Sequence, residues 1–212
     1  MSIKTREGGR NGSVKISAAI MAGGKSVRMG RDKAFLKIGA LTAVEFQLQR
    51  LRPLFEEIIL STNTPEKFTA LDIPAIPDLI PGRGPLGGIY TALSSIKNPY
   101  LFAIACDMPC VSPVLIQYMR ERCKGYDVVV PETERGLEPL HAIYSVNCVP
   151  AIKRQLETAG GGRVIGFFPE VKVRVVTKEE IAGVEGGADA FLNFNTPEDY
   201  HRVLELLRAK NI

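Results

Sequence analysis

The chain has 212 residues, with 27 Lys plus Arg, 23 Asp plus Glu and 2 His, for a net charge of +4. Residues 1–16 hold Lys4, Arg6, Arg10 and Lys15 against Glu7 and so carry +3, which leaves +1 on all the rest. A near-neutral body excludes a broad nucleic-acid stripe, 45% hydrophobic with 24% charged residues is an ordinary globular composition, and no apolar run approaches the roughly 18 residues of a membrane helix.

Residues 1–14 are polar, Gly-rich and basic, and are expected to form a disordered tail ahead of a single domain over 15–212. The start lacks the apolar centre of a signal peptide, so a cytoplasmic location is expected. Ser17 to Met21 reads as a buried strand and ends in a loop, Ala22 to Lys33, rich in Gly and charge. Val44, Leu48, Leu51 and Leu54 or Phe55 recur at helical spacing. Glu57 to Thr62 reads as a strand broken by Asn63-Thr64-Pro65, and Ala75-Ile76 as a brief one before Pro77-Asp78. Ile80 to Gly88 is a second Gly/Pro loop that opens a helix through Tyr90, Leu93 and Ile96. Tyr100 to Ala105 is an apolar strand stopped at Cys106-Asp107-Met108-Pro109. Ser112 with Pro113 predicts a helix start, running to about Cys123. Tyr126 to Val130 and Leu140 to Ser145 read as strands, a helix follows through Ile152 and Leu156, and Val171 to Thr177 is a late strand. The last helix starts at Thr196-Pro197, with Tyr200, Val203, Leu204 and Leu207 on one face.

Alternating strands and helices predict an α/β domain with a mostly parallel sheet. Ligands in such sheets bind beyond the carboxyl ends of strands. The loop after Met21, Asn63 and Asp107 all fall there. The first loop is neither a P-loop nor a dinucleotide fingerprint, because Gly30 is followed by Arg31-Asp32 and Gly24 has Ser26 two places on. It still suits an anion: Gly23 and Gly24 let backbone N–H groups approach closely, and Arg28 and Lys33 add positive charge. Lys25 and Arg31 in the same loop read equally well as solvated surface.

Ala22-Gly23-Gly24-x-Ser26-x-Arg28-Met29-Gly30-x-Asp32-Lys33 resembles the N-terminal signature of the nucleotidyltransferases related to molybdenum cofactor guanylyltransferase, the MobA family. Gly84-Pro85-Leu86-Gly87-Gly88, Cys106-Asp107-Met108-Pro109 and Asn193-Phe194-Asn195-Thr196-Pro197 extend the likeness in the family's order. The resemblance implies a Rossmann-like, three-layer nucleotidyltransferase fold. It implies transfer of GMP from GTP to the molybdopterin cofactor, with Mg2+ and release of pyrophosphate. GTP and the molybdopterin cofactor are then the ligands, and molybdoenzyme-maturation proteins are candidate partners. In family terms Met21, Ala22, Gly23 and Gly24 line the nucleotide with Pro85, Leu86 and Gly87, and Lys33 lies at its phosphates. Asn63 and Asp78 hold the nucleoside, Asp107 meets nucleotide and Mg2+, and Asn193 and Asn195 lie toward the acceptor. Met21 stands where the family often has Leu, and Gly87 where it often has Ala.

The chemistry agrees with these residue types. Both reactants are anions, so cationic groups and a metal must offset repulsion and the charge building on the leaving oxygens. Lys33, Arg28 and Asp107 are the catalytic candidates, with Asp107 as metal ligand. A turn or capping Asp is the plainer reading of Asp107. Asp78 could instead be a turn former and Asn63 a strand exit. Gly84 to Gly88 could be a tight connection, and Asn193 and Asn195 could cap the following helix. Arg83 and Arg163, the latter after Gly160-Gly161-Gly162, are weaker candidates for the acceptor. His141 reads as structural and His201 as solvated. Cys106, Cys110, Cys123 and Cys148 lack zinc-type spacing and are expected as packed thiols. Cytidylyl transfer to the same cofactor, nucleotidyl transfer to another phosphorylated acceptor, and a non-catalytic cofactor-binding adaptor are the competing functions.

Overall fold

The computed structural model describes residues 14–23, 32–158 and 162–210. The basic tail through residue 13, the loop stretch 24–31 with Gly24 and Arg28, and residues 159–161 lie outside the described residues. Strand β1 (Ile16–Met21) is followed by a short hairpin, β2 (Lys37–Ile38) and β3 (Leu41–Thr42), and by helix α1 (Ala43–Leu51). Next come β4 (Ile58–Ser61), β5 (Ala75–Ile76), α2 (Gly84–Ser95), β6 (Tyr100–Ala105) and α3 (Pro113–Arg120). The second half holds β7 (Val128–Thr133), β8 (Gly136–Leu137), β9 (His141–Ser145), α4 (Val149–Glu157), β10 (Val173–Val176), α5 (Lys178–Ala182) and α6 (Pro197–Ala209).

The main sheet runs β10-β7-β9-β6-β1-β4-β5, with β8 paired to β7. Neighbours are parallel except where β9 runs antiparallel between β6 and β7, and where β8 folds back on β7. Central strands buried on both faces read as continuous apolar runs, and their side chains alternate between two cores. Ala18, Ile20, Phe102, Ile104 and Ile143 face α1 and α3 through Val44, Leu48, Leu51, Leu115 and Met119. Ala19, Met21, Leu101, Ala103 and Tyr144 face α2 and α4 through Leu86, Ile89, Leu93, Ile152 and Leu156. Helices on both faces of one sheet make three layers. Helix α6 packs beside α1, where Val203 and Leu207 meet Phe46 and Phe194.

Several element boundaries shift by one to three residues from the sequence expectation, and those of β7 and α3 have clear local causes. Strand β7 begins at Val128, not Tyr126, because the Tyr126 N–H closes a turn onto the Cys123 carbonyl. It continues past Val130 to Thr133 because β8 pairs with its end. Helix α3 stops at Arg120, three residues early. Helix α5, closed by a capping box of Thr177 and Glu180, has no counterpart in the apolar periodicity.

Candidate active site

Strand register gathers the site. Met21 is level with Ser61 on β4 and with Ala105 on β6. The chain exits bond across these ends: the Ala22 N–H donates to the Ser61 carbonyl (2.9 Å) and the Cys106 N–H to the Met21 carbonyl (3.2 Å). The residues after β1, β4 and β6 therefore rim one crevice, as the parallel arrangement requires.

Lys33 opens a 3-10 turn, Lys33–Phe35, whose N-cap Asp32 accepts from the Ala34 N–H. The Lys33 Nζ donates to Asp107 Oδ2 at 2.8 Å and to Asn195 Oδ1 at 2.6 Å. Both charged side chains are mostly sheltered, at 17% and 14% exposure. Three segments far apart in sequence thus meet at one ammonium. Asp107 is not a cap. Ser112 caps α3, accepting from the Leu115 N–H, and the Asp107 carboxylate is turned to Lys33. Its carbonyl accepts from the Phe194 N–H (3.2 Å), which ties the segment bearing Asn195 to the end of β6.

Gln47, which sequence reasoning did not single out, braces this turn. It is fully buried on α1, and its Nε2 donates to the carbonyls of Ala105 (2.9 Å) and Met108 (2.8 Å) on either side of Asp107. The signal was present: Gln47 lies three residues after Val44 and four before Leu51, a polar residue inside the apolar stripe.

On the other side of β1, Asn63 and Asp78 bond reciprocally. The Asn63 Nδ2 donates to Asp78 Oδ2 (2.8 Å), and the Asp78 N–H donates to Asn63 Oδ1 (2.9 Å). Asn63 thus holds Asp78 at Oδ2 and at its N–H, and Asp78 Oδ1 makes no hydrogen bond among the described residues. Asp78 faces the first turn of α2. A Cβ on Gly88 would lie 3.6 Å from Asp78 Oδ1, 2.5 Å from Met21 Cε and 2.7 Å from Ser61 Oγ. Glycine here permits the close approach of helix and strand. Leu86 is completely buried in the core, so it can offer a ligand only backbone, whereas Pro85 is exposed and Gly87 buried. Arg83 is half-buried and donates to the Thr158 carbonyl (3.4 Å), beside Gly162, and Arg163 is exposed.

Asn193 and Asn195 flank Phe194, which is fully buried, so the alternation expected of an extended segment holds. Neither amide caps α6. Thr196 does, in a capping box with Asp199. Asn193 Oδ1 accepts from Arg135 Nη1 (3.3 Å) on the β7–β8 turn, a second residue not singled out from sequence.

Other nucleophiles are unsuited to the chemistry. His141 is completely buried between the Phe102 and Phe191 rings, at 5.1 and 5.0 Å between centroids. Neither ring nitrogen has a partner among the described residues, and burial pushes its pKa down to about 3. Burial likewise pushes the thiols of Cys106, Cys123 and Cys148 up to about 12 and that of Cys110 to about 11. They are packed thiols, not thiolates. His201 is exposed. Among the described residues no three His, Cys, Asp or Glu side chains cluster to hold a metal ion, which leaves Asp107 as a single carboxylate beside Lys33.

A probable molybdenum cofactor guanylyltransferase of Pelotomaculum thermopropionicum is 39% identical over 186 residues, covering 88% of this chain and 90% of that protein. The molybdenum cofactor guanylyltransferase of Syntrophotalea carbinolica is 35% identical over 188 residues, 88% of this chain and 89% of that one. The crystal structure of molybdopterin-guanine dinucleotide biosynthesis protein A from Archaeoglobus fulgidus superposes with a TM-score of 0.81 at 24% identity, covering 91% of this chain and 99% of that chain, and shares its fold. The family model for the MobA-like NTP transferase domain matches residues 18–174. The family model spans more than half of the chain and the relatives cover most of it, so the chain belongs to the MobA-like NTP transferase family.

Proposed function

We propose that this chain transfers GMP from GTP to the phosphate of the molybdopterin cofactor, forming the guanine dinucleotide cofactor and pyrophosphate. The observation that carries the reading is the Lys33 ammonium held between Asp107 and Asn195, where the nucleotide crevice meets the segment assigned to the acceptor. The names of the relatives supply the nucleotide and the acceptor.

An acceptor phosphate oxygen attacks the α-phosphorus in line. The bond from that phosphorus to the bridging oxygen of the β-phosphate breaks, and the electron pair leaves with pyrophosphate. The acceptor phosphate is already ionised near neutral pH, so no base has to be found among the buried His141 or the packed thiols. Lys33 offsets charge on the phosphates as a fixed cation. Asp78, oriented by Asn63, offers Oδ1 to guanine N1 and N2 or to ribose hydroxyls. Arg28, outside the described residues, is assigned to the triphosphate. Asp107 suits Mg2+, because that ion takes one or two carboxylates and completes its shell with phosphates and water, and Asp107 Oδ1 is not used by Lys33. Bound there, the ion would polarise the phosphates and offset the leaving charge. Lys33 and Asp107 compensate each other. A metal–nucleotide complex carries both signs and so can engage both partners.

The deciding experiment gives purified protein, Mg2+ and molybdopterin cofactor either GTP or CTP and measures dinucleotide and pyrophosphate. Product from GTP is expected. Product from CTP alone would replace the guanylyl reading with the cytidylyl one, and tight cofactor binding without product from either would replace it with the adaptor.

A further inference from the structure

We infer that Arg135 is a positioning residue for the acceptor, acting through the orientation of the Asn193 amide. The inference rests on the proposed transfer to a phosphorylated acceptor and assigns a role on that side of the site.

Lys and Arg side chains only donate hydrogen bonds, whereas an amide side chain donates from nitrogen and accepts at oxygen. Lys33 Nζ at 2.6 Å therefore requires the oxygen of Asn195, and Arg135 Nη1 at 3.3 Å requires the oxygen of Asn193. Each amide is thereby locked with its NH2 group turned away from the cation. No bond from either NH2 group is made to the described residues, and both side chains lie on the half-exposed side of a segment whose middle residue, Phe194, is fully buried. Two neighbouring NH2 donors, each polarised by a cation behind it, form a recognition element for phosphate oxygens.

Arg135 is built to hold this pose. It stands on the turn between β7 and β8, where Gly136 takes φ +101°. Its Nη2 donates to the Phe191 carbonyl (2.7 Å) and to Glu138 Oε1 (2.9 Å), and its Nε reaches the same oxygen at 3.3 Å. Glu138 is 9% exposed and also accepts from Thr133 Oγ1 at 2.9 Å. Although Arg135 itself is exposed, four bonds to three partners fix its fork. Lysine could supply the charge but not this planar grip. A plain surface ion pair would have no cause to reach both the Asn193 side chain and the Phe191 backbone two residues earlier.

The test is steady-state kinetics of the full chain with Mg2+, varying GTP and molybdopterin separately. The variants are Arg135→Ala, Arg135→Lys, Asn193→Asp and the double change Arg135→Ala with Glu138→Gln. The double change removes the nearly buried carboxylate left unpaired by Arg135→Ala, so a folding defect is separated from lost positioning by the thermal midpoint. The expected result is a rise of about tenfold or more in KM for molybdopterin, with KM for GTP within twofold of wild type. Arg135→Lys should recover only part of the loss. Asn193→Asp keeps the Arg135 contact but replaces the donor with a negative charge, and should raise the same KM with an unchanged melting temperature. The inference is overturned if the folded double variant keeps the wild-type KM for molybdopterin, or if KM for GTP rises in step. Wild-type protein that makes no dinucleotide from GTP would overturn the functional reading and the inference together.

Discussion

Lys33 and Asp107 are each sheltered and each compensated by the other, which makes them sensitive positions. Removing one partner of a sheltered pair leaves a charge that neither water nor protein satisfies well. Asp107→Ala should abolish turnover while nucleotide binding partly survives, because the groups we propose hold the nucleoside, Asp78, Met21 and the first turn of α2, remain. Lys33→Ala should lower kcat/KM by roughly a hundredfold or more, with triphosphate binding weakened together with rate. Equilibrium titration with GTP alongside turnover separates the two outcomes, and full activity of the Asp107 variant would remove it from the mechanism. Gln47 tests whether the backbone around Asp107 must be held. Gln47→Leu fills the same space but frees the Ala105 and Met108 carbonyls. It should reduce kcat at least tenfold and leave KM for GTP nearly unchanged. Equal kinetics would show that the turn holds itself.

At the level of elements, the site depends on how helices enter and leave it. The N-cap of α6 is a reciprocal box: Thr196 Oγ1 accepts from the Asp199 N–H, and Asp199 Oδ2 accepts from the N–H groups of Thr196 (3.1 Å) and Asn195 (3.2 Å). The box therefore anchors the backbone of the residue that grips Lys33. Thr196→Ala should cost about 1 kcal/mol of stability, read from a denaturant midpoint, and Asp199→Ala should in addition lower kcat. The first turn of α2 depends on Gly88. A methyl there would meet Met21 Cε and Ser61 Oγ, both ends of side chains that can turn aside. Gly88→Ala should therefore fold with a modest drop in melting temperature yet raise KM for GTP, since Met21, which we propose lines the nucleotide, must turn aside. A KM equal to wild type would mean that Met21 does not line the base. The elements themselves were largely legible. Apolar runs located β1, β4, β6 and β9, and Ser112-Pro113 and Thr196-Pro197 marked two helix starts. The β7 boundary was not legible, because it depends on pairing with β8 and on a turn closed by Tyr126.

Across the whole molecule, acid stability should follow His141. The fold holds the imidazole neutral, with its pKa depressed to about 3 from an ordinary 6.5. The unfolded chain takes up a proton as pH falls below 6.5 and the native state does not. The stabilisation is complete above pH 6.5 and is lost progressively below it, approaching about 1.4 kcal/mol per pH unit. Glu180, held down to about 2 chiefly by the Arg174 side chain, adds a loss that begins only below about 4.5. Urea unfolding between pH 7 and 5 should thus show falling stability, and His141→Leu should flatten that slope. An unchanged slope in the variant would place the acid sensitivity elsewhere.

The linear chain by itself determined the layered α/β architecture, the strand ends that carry Asn63 and Asp107, and the family likeness of its Gly-rich loops. These are local properties: burial writes itself as apolar runs, turns as Gly and Pro, and ligand loops as short motifs. Tertiary structure decided which of the marked residues meet. Lys33 and Asn195 are 162 residues apart, yet they share one hydrogen bond. Asn63 and Asp78 bond each other across 15 residues, and the Leu86 side chain is buried in the core. Gln47 and Arg135 gained hydrogen-bond partners that no motif announced. The physical reason is that parallel crossovers bring distant strand ends to the same edge of the sheet. A side chain's partner there is set by register and by the direction of exit, and neither is written in the residues next to it.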